Sequence, residues 1–162
     1  MKGDPNIIRT LNAVLTNELT AVNQYFLHAR MFESWGFQHL GKIIYEESIG
    51  EMKHADMPIN RILFLDGLPN LQDLHKLKVG EDPIECLGAD LQLEIDSRAA
   101  TRDALTACEE ARDYVSRELL QKILTDTEHH IDFLENQQNL IGFMGRENYL
   151  QSALKEIVGE GH

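Results

Sequence analysis

Four long stretches of this chain repeat apolar residues at helical spacing, and each interrupts its stripe with a side chain that can bind a metal. Over 5–34 the stripe is Leu11, Leu15, Glu18, Val22 and Tyr25. Over 38–66 it is Leu40, Ile44, Glu47, Glu51, His54, Ile62 and Leu65. Over 83–111 the inner side carries Leu87, Leu91, Glu94, Leu105 and Cys108. Over 113–143 it carries Leu120, Ile123, Thr127, His130, Leu134 and Ile141. Residues three and four apart share one face of a helix. The pattern predicts an all-α four-helix bundle with glutamates and histidines turned inward. Unpaired carboxylates are costly to bury, so several on one interior face require a cation or mutual neutralisation.

The punctuation agrees with this division. Asp4-Pro5 predicts a capped start with proline in the first turn, and Gly36 predicts the end of the first helix. Pro83 opens the third and Gly145 breaks the fourth. Residues 67–82, beginning Gly67-Leu68-Pro69-Asn70, sustain no stripe and predict a long crossover between the two halves of the bundle. Tyr149, Leu150, Leu154 and Ile157 predict a short fifth helix at the C-terminus, so that all 162 residues make one domain. Pro58 lies inside the second helix and offers no N–H to the carbonyl of His54. A kink is expected there, able to re-aim His54.

Glu51 and His54 form a Glu-x-x-His pair, one helical turn apart, which can place a carboxylate oxygen and an imidazole nitrogen on one metal. A Glu from each of two helices plus Glu-x-x-His from each of the other two is the ferritin-like di-iron pattern. Glu18, Glu51, His54 and Glu94 fit it. The fourth helix departs, because the residue three before His130 is Thr127. A neutral hydroxyl is a poor iron ligand beside carboxylates and imidazoles. Glu128 lies about 200° round the helix from His130, and His129 about 100°. Glu47, one turn before Glu51, could shift in or hold a water. Met52 lies about 100° from Glu51. It therefore faces away from the metal stripe, with Tyr45, Ile49 and Asp56, opposite a second stripe of the first helix made of Leu19, Asn23, Phe26 and Arg30.

Composition excludes other classes. The formal net charge is −12, which argues against binding nucleic acid or an anionic membrane. No apolar run is long enough to span a bilayer, and the N-terminus has no apolar signal region. Cys86 and Cys108 lack the paired spacing of a zinc knuckle and read as reduced core thiols. A cytoplasmic protein is expected.

Several segments resemble one family. They are Asn17-Glu18-Leu19-Thr20-Ala21, Asn23 through Arg30, Glu51-Met52-Lys53-His54-Ala55-Asp56, Arg61 through Leu71, Tyr114 through Leu120, His130-Ile131-Asp132 and Glu147 through Ser152. Over nearly its whole length the chain resembles the bacterioferritins. The resemblance implies a hollow shell of 24 subunits, built from two-fold dimers and filled with ferric mineral. It implies a ferroxidase site on Glu18, Glu51, His54, Glu94 and His130, with Thr127 where a glutamate belongs. Tyr25 matches the family and would be a redox-active neighbour of the metals. Met52 sits where the family places the axial methionine of a b-type haem shared by two subunits. Near an inner-surface iron site the family tends to carry histidine and aspartate, where this chain has Glu46 and Gly50. The resemblance leaves two expectations open. One is a storage protein whose oxidation site is weakened by Thr127. The other is a haem-carrying, ferroxidase-deficient subunit that co-assembles with a competent bacterioferritin partner. An electron-donating ferredoxin-like protein is the implied partner for iron release. The match around Met52, and the lack of a cysteine-rich tail, disfavour a manganese catalase or a rubrerythrin-like peroxidase.

Overall fold

The computed structural model describes the backbone of residues 1–160 and the side chains of residues 1–154. Its elements are α1 (Pro5–Ser34), α2 (Gln38–Phe64), α3 (Pro83–Glu110), α4 (Tyr114–Met144) and α5 (Arg146–Glu160). Three of the helices start on an aspartate that satisfies a free backbone N–H. Asp4 accepts from the N–H of Asn6 at 2.8 Å, Asp82 from Glu85 at 2.9 Å and Asp113 from Ser116 at 3.0 Å. The ends are set by left-handed residues. Gly36 has φ +97°, and the N–H of Phe37 donates to the Phe32 carbonyl at 2.8 Å, closing a Schellman motif. Asp66 and Arg112 take the same role at φ 59° and 58°. Their turns stop α2 at Phe64 and α3 at Glu110, one or two residues before the ends expected from periodicity. α2 runs continuously through the buried Pro58. Of the residues expected in the fifth helix, Tyr149 is buried, Leu150 is partly buried and Leu154 is exposed. The side chain of Ile157 lies outside the described residues.

α1 packs on α2, α3 on α4, and α1 on α3, with the short links 35–37 and 111–113 making two helical hairpins. The core is divided in two. One apolar cluster gathers Ala21, Tyr25, Phe32, Ile44, Leu87, Leu134 and Tyr149. The other gathers Ile7, Leu11, Leu15, Ile62, Cys108, Leu120 and Ile123. Each fully buried leucine or isoleucine contributes about 1.5–3 kcal/mol. In each of the four long helices the metal-type residues fall between the positions that feed the two clusters. A polar layer therefore lies across the middle of the bundle, flanked by apolar packing on both sides. Both cysteines are free and buried.

The crossover 67–82 lies along α1 and runs in the same direction. The N–H of Asn70 donates to Asn12 Oδ1 at 2.8 Å, that of His75 to Thr20 Oγ1 at 3.0 Å, and that of Lys78 to Gln24 Oε1 at 3.0 Å. The N–H of Gly80 donates to His28 Nε2 at 3.1 Å. A stretch without secondary structure of its own thereby gains partners for its backbone. These contacts account for the buried polar residues Thr20, Gln24 and His28 on α1. Periodicity gave no reason for them.

Candidate metal centre

α1 delivers Glu18, α2 Glu51 and His54, α3 Glu94, and α4 His130, and all five are buried. Ligand atoms of Glu18, Glu51 and His54 lie within 4.8 Å of one another, and so do those of Glu51, Glu94 and His130. Glu51 belongs to both groups. Two candidate ligand groups therefore share one carboxylate, an arrangement that suits a pair of metal ions. His54 Nδ1 sits 3.3 Å from Glu51 Oε2 and 3.4 Å from Glu18 Oε2. His130 Nδ1 sits 3.2 Å from Glu94 Oε1.

The layer is short of hydrogen bonds. Both oxygens of Glu18, Glu94 Oε2, Thr127 Oγ1 and both ring nitrogens of His130 are buried and make none. Native interiors rarely leave so many polar atoms unpaired. Protons partly take the place of a cation. Burial, then the neighbouring Glu18 carboxylate, pushes Glu51 up to about 8, and burial, then Glu51, pushes Glu94 up to about 7. Burial would lower His54, but Glu18 and Glu51 outweigh it and hold its pKa up at about 11. Carboxylate oxygens with imidazole nitrogens suit first-row divalent metals, so the residues present fit iron.

Tyr25 is fully buried and donates its hydroxyl to Glu94 Oε1. Burial, then the charge of Glu94, raises its pKa well above the ordinary tyrosine value, so the phenol remains a donor. Its ring meets His130 edge-on at 5.2 Å between centroids. Thr127 is on the buried stripe, as expected. Glu128 is exposed and paired with Arg98 at 2.7 Å, away from the centre. Glu47 is half-buried, with Oε2 3.5 Å from His130 Nδ1. Around Glu51, His54 and His130 a cleft opens to the surface between Glu46, Glu47, Gly50, Asp126 and His129. Asp126 was not among the expected site residues, yet its Oδ2 lies 2.8 Å from His54 Nε2. Its place four residues before His130, one turn back on α4, was the available signal.

Met52 is half exposed, on the opposite side of α2 from the buried Glu51 and His54. Two turns earlier on the same face of α2, Tyr45 meets the α1 residues Phe26 and Arg30. Phe26 and Tyr45 lie 6.2 Å apart, and the Arg30 guanidinium stacks over both rings. A soft thioether turned out of the core fits an axial haem ligand.

Residues 8–144 match the family model of the ferritin-like domain, the class that the bundle and its carboxylate–histidine layer define. The bacterioferritin of Brucella melitensis is 48% identical over 151 residues, covering 93% of this chain and 94% of that protein. That of Mycobacterium leprae is 47% identical over 149 residues, covering 92% and 94%. That of Rhodobacter capsulatus is 47% identical and covers 92% of each chain. The chain belongs to the bacterioferritin family of iron-storage proteins. Among the described residues no helix is long and apolar enough to cross a membrane.

Proposed function

We propose that this chain is a single-domain subunit of a cytoplasmic, haem-containing iron-storage shell of 24 copies built from two-fold dimers. Glu18, Glu51, His54, Glu94 and His130 take up ferrous iron for oxidation. The sharing of Glu51 between two buried ligand groups carries this reading. Ferrous ions enter through the cleft beside Glu47 and Asp126. One ion takes Glu18, Glu51 and His54, and the other takes Glu51, Glu94 and His130. Two ferrous ions give one electron each, and with two protons they reduce one oxygen molecule to hydrogen peroxide. Peroxide can serve as the oxidant in turn. Tyr25 holds Glu94 through its hydroxyl and is a redox-active neighbour of the pair.

Met52 from each of two subunits would hold a b-type haem. When bound, it would supply one-electron transfer for reducing and releasing stored iron, with a ferredoxin-like protein as the electron donor. Met52→Leu is expected to leave the shell assembled without its haem absorption bands. Retained bis-thioether haem would refute the assignment.

Thr127 favours a second reading. Three ligand carboxylates offset three of the four positive charges of two ferrous ions, and the Thr127 hydroxyl is buried without a partner. Glu47 can supply a further carboxylate, since it reaches the metal-facing nitrogen of His130. Without enough help from Glu47, the chain is a haem-carrying, ferroxidase-deficient subunit that co-assembles with a competent bacterioferritin partner. Oxidation of two ferrous ions per subunit in air by the purified chain separates the readings. Fast, saturating oxidation supports a competent storage protein. Slow oxidation rescued by Thr127→Glu supports the deficient subunit. A rate that Thr127→Glu leaves unchanged contradicts the role given to Thr127.

A further inference from the structure

The two histidines of the centre are held differently on the side away from the metal. His130 Nε2 is buried and makes no hydrogen bond. His54 Nε2 lies 2.8 Å from Asp126 Oδ2, closer than the 3.3 and 3.4 Å that separate its Nδ1 from Glu51 and Glu18. A carboxylate only accepts, so Nε2–H is the donor. We propose that Asp126 is a positioning residue for iron binding. From α4 it fixes the ring of His54 so that Nδ1 faces the half-site of Glu18 and Glu51.

The chemistry follows from the two nitrogens of one ring. While Nε2 keeps its proton for Asp126, Nδ1 is the nitrogen that gives up its proton and offers the freed lone pair to a metal. The negative charge behind the ring also makes that nitrogen a better donor. The anchor comes from a different helix, which matters at this place. His54 lies one turn before Pro58, where the backbone of α2 lacks a hydrogen bond. The side chain of Asp126 is 60% exposed at the mouth of the cleft, so the fold gains little from the ion pair and can lose it without unfolding. The expected consequence is unequal half-sites. The Glu18–Glu51–His54 side binds first and more tightly, and the His130 side, without an anchor on its far nitrogen, binds second.

This inference rests on the reading of the layer as a divalent-metal site, and one titration tests the two separately. The probe is Co²⁺, added anaerobically to the assembled protein and followed by its visible d–d absorbance, with thermal unfolding recorded in parallel. Asp126→Ala is expected to weaken the tighter binding step by about 10–100-fold, as outer-sphere partners of metal-bound histidines typically do. The weaker step and the melting temperature should stay unchanged. Asp126→Asn, whose amide oxygen still accepts from Nε2–H, should recover most of the affinity. Wild-type affinity in Asp126→Ala would overturn the inference while leaving the metal site standing. Equal losses in the Ala and Asn variants, accompanied by a lower melting temperature, would overturn it by making Asp126 a structural residue. A wild-type protein that binds no Co²⁺ would overturn both.

Discussion

Two clusters of polar groups are buried in this bundle, and they differ in how well they satisfy themselves. The first is formed by Gln24, His28 and Asp90 with the crossover. Asp90 Oδ1 accepts from His28 Nδ1–H at 2.7 Å and from Gln24 Nε2 at 2.9 Å, and both members of the His28–Asp90 pair are 0% exposed. The Gly80 N–H occupies the other nitrogen of His28, and the Lys78 N–H occupies the oxygen of Gln24. Within this cluster Asp90 Oδ2 alone is buried without a partner, and the result is a clamp that ties 78–80 to α1 and α3. The second cluster, one or two turns away along the same helices, is the carboxylate–histidine layer. There six buried atoms of Glu18, Glu94, Thr127 and His130 make no hydrogen bond. A polar cluster with all but one of its buried side-chain atoms paired can serve the fold. One left incomplete across four helices costs stability, and a bound cation recovers it.

The contrast can be broken at several points. Asp90→Ala should strand buried His28 and Gln24 and destabilise by about 3–5 kcal/mol in chemical unfolding, the usual loss when one partner of a buried pair is removed. A loss below about 1 kcal/mol would mean that the clamp holds nothing. Gly80→Ala should cost about 1–3 kcal/mol by the same measurement. A Cβ there would stand 2.4 Å from the backbone nitrogen of Cys86, which cannot yield as a side chain would. The metal layer should instead respond to pH. Glu51 at about 8, Glu94 at about 7 and His54 at about 11 hold protons near neutrality, and a metal must expel them. Affinity for Co²⁺ should therefore rise with pH between 6 and 8, by about tenfold per pH unit for each proton displaced. Calorimetry in buffers of different ionisation enthalpy counts those protons. Affinity independent of pH would contradict the raised carboxyls. The smallest effect sharpens the comparison most. Glu18→Leu removes a buried carboxylate that makes no hydrogen bond but attracts His54 at 3.4 Å and repels Glu51, so the two effects should largely cancel and the metal-free protein should change by less than about 1 kcal/mol. The same change should abolish the tighter Co²⁺ step. Marked destabilisation would show that Glu18 serves the fold.

The bundle and most of its centre were legible in the sequence because both are written at helical spacing. Glu18, Glu51, His54, Glu94 and His130 each interrupt an apolar stripe, and four amphipathic helices have one economical way to bury such stripes. The outward exposure of Met52 was legible by the same geometry, since it is out of phase with Glu51. The polar stripe of α1 was not legible as a unit. Thr20 and Gln24 answer to residues 54 or 55 positions away in a segment with no period of its own. Asp126 was hidden differently, because it stands on a mostly exposed part of α4 and acts across to α2. The helix ends at Asp66 and Arg112 were missed because neither residue carries the glycine signature of a left-handed cap.

The central claim is that one buried glutamate joins two cation sites. Anomalous X-ray scattering at the iron edge, from crystals loaded anaerobically with ferrous iron, tests it most directly. Two peaks on either side of the Glu51 carboxylate are predicted, the stronger among Glu18, Glu51 and His54 and the weaker among Glu51, Glu94 and His130. Iron bound elsewhere in the crystal, with none at Glu51, would contradict the account.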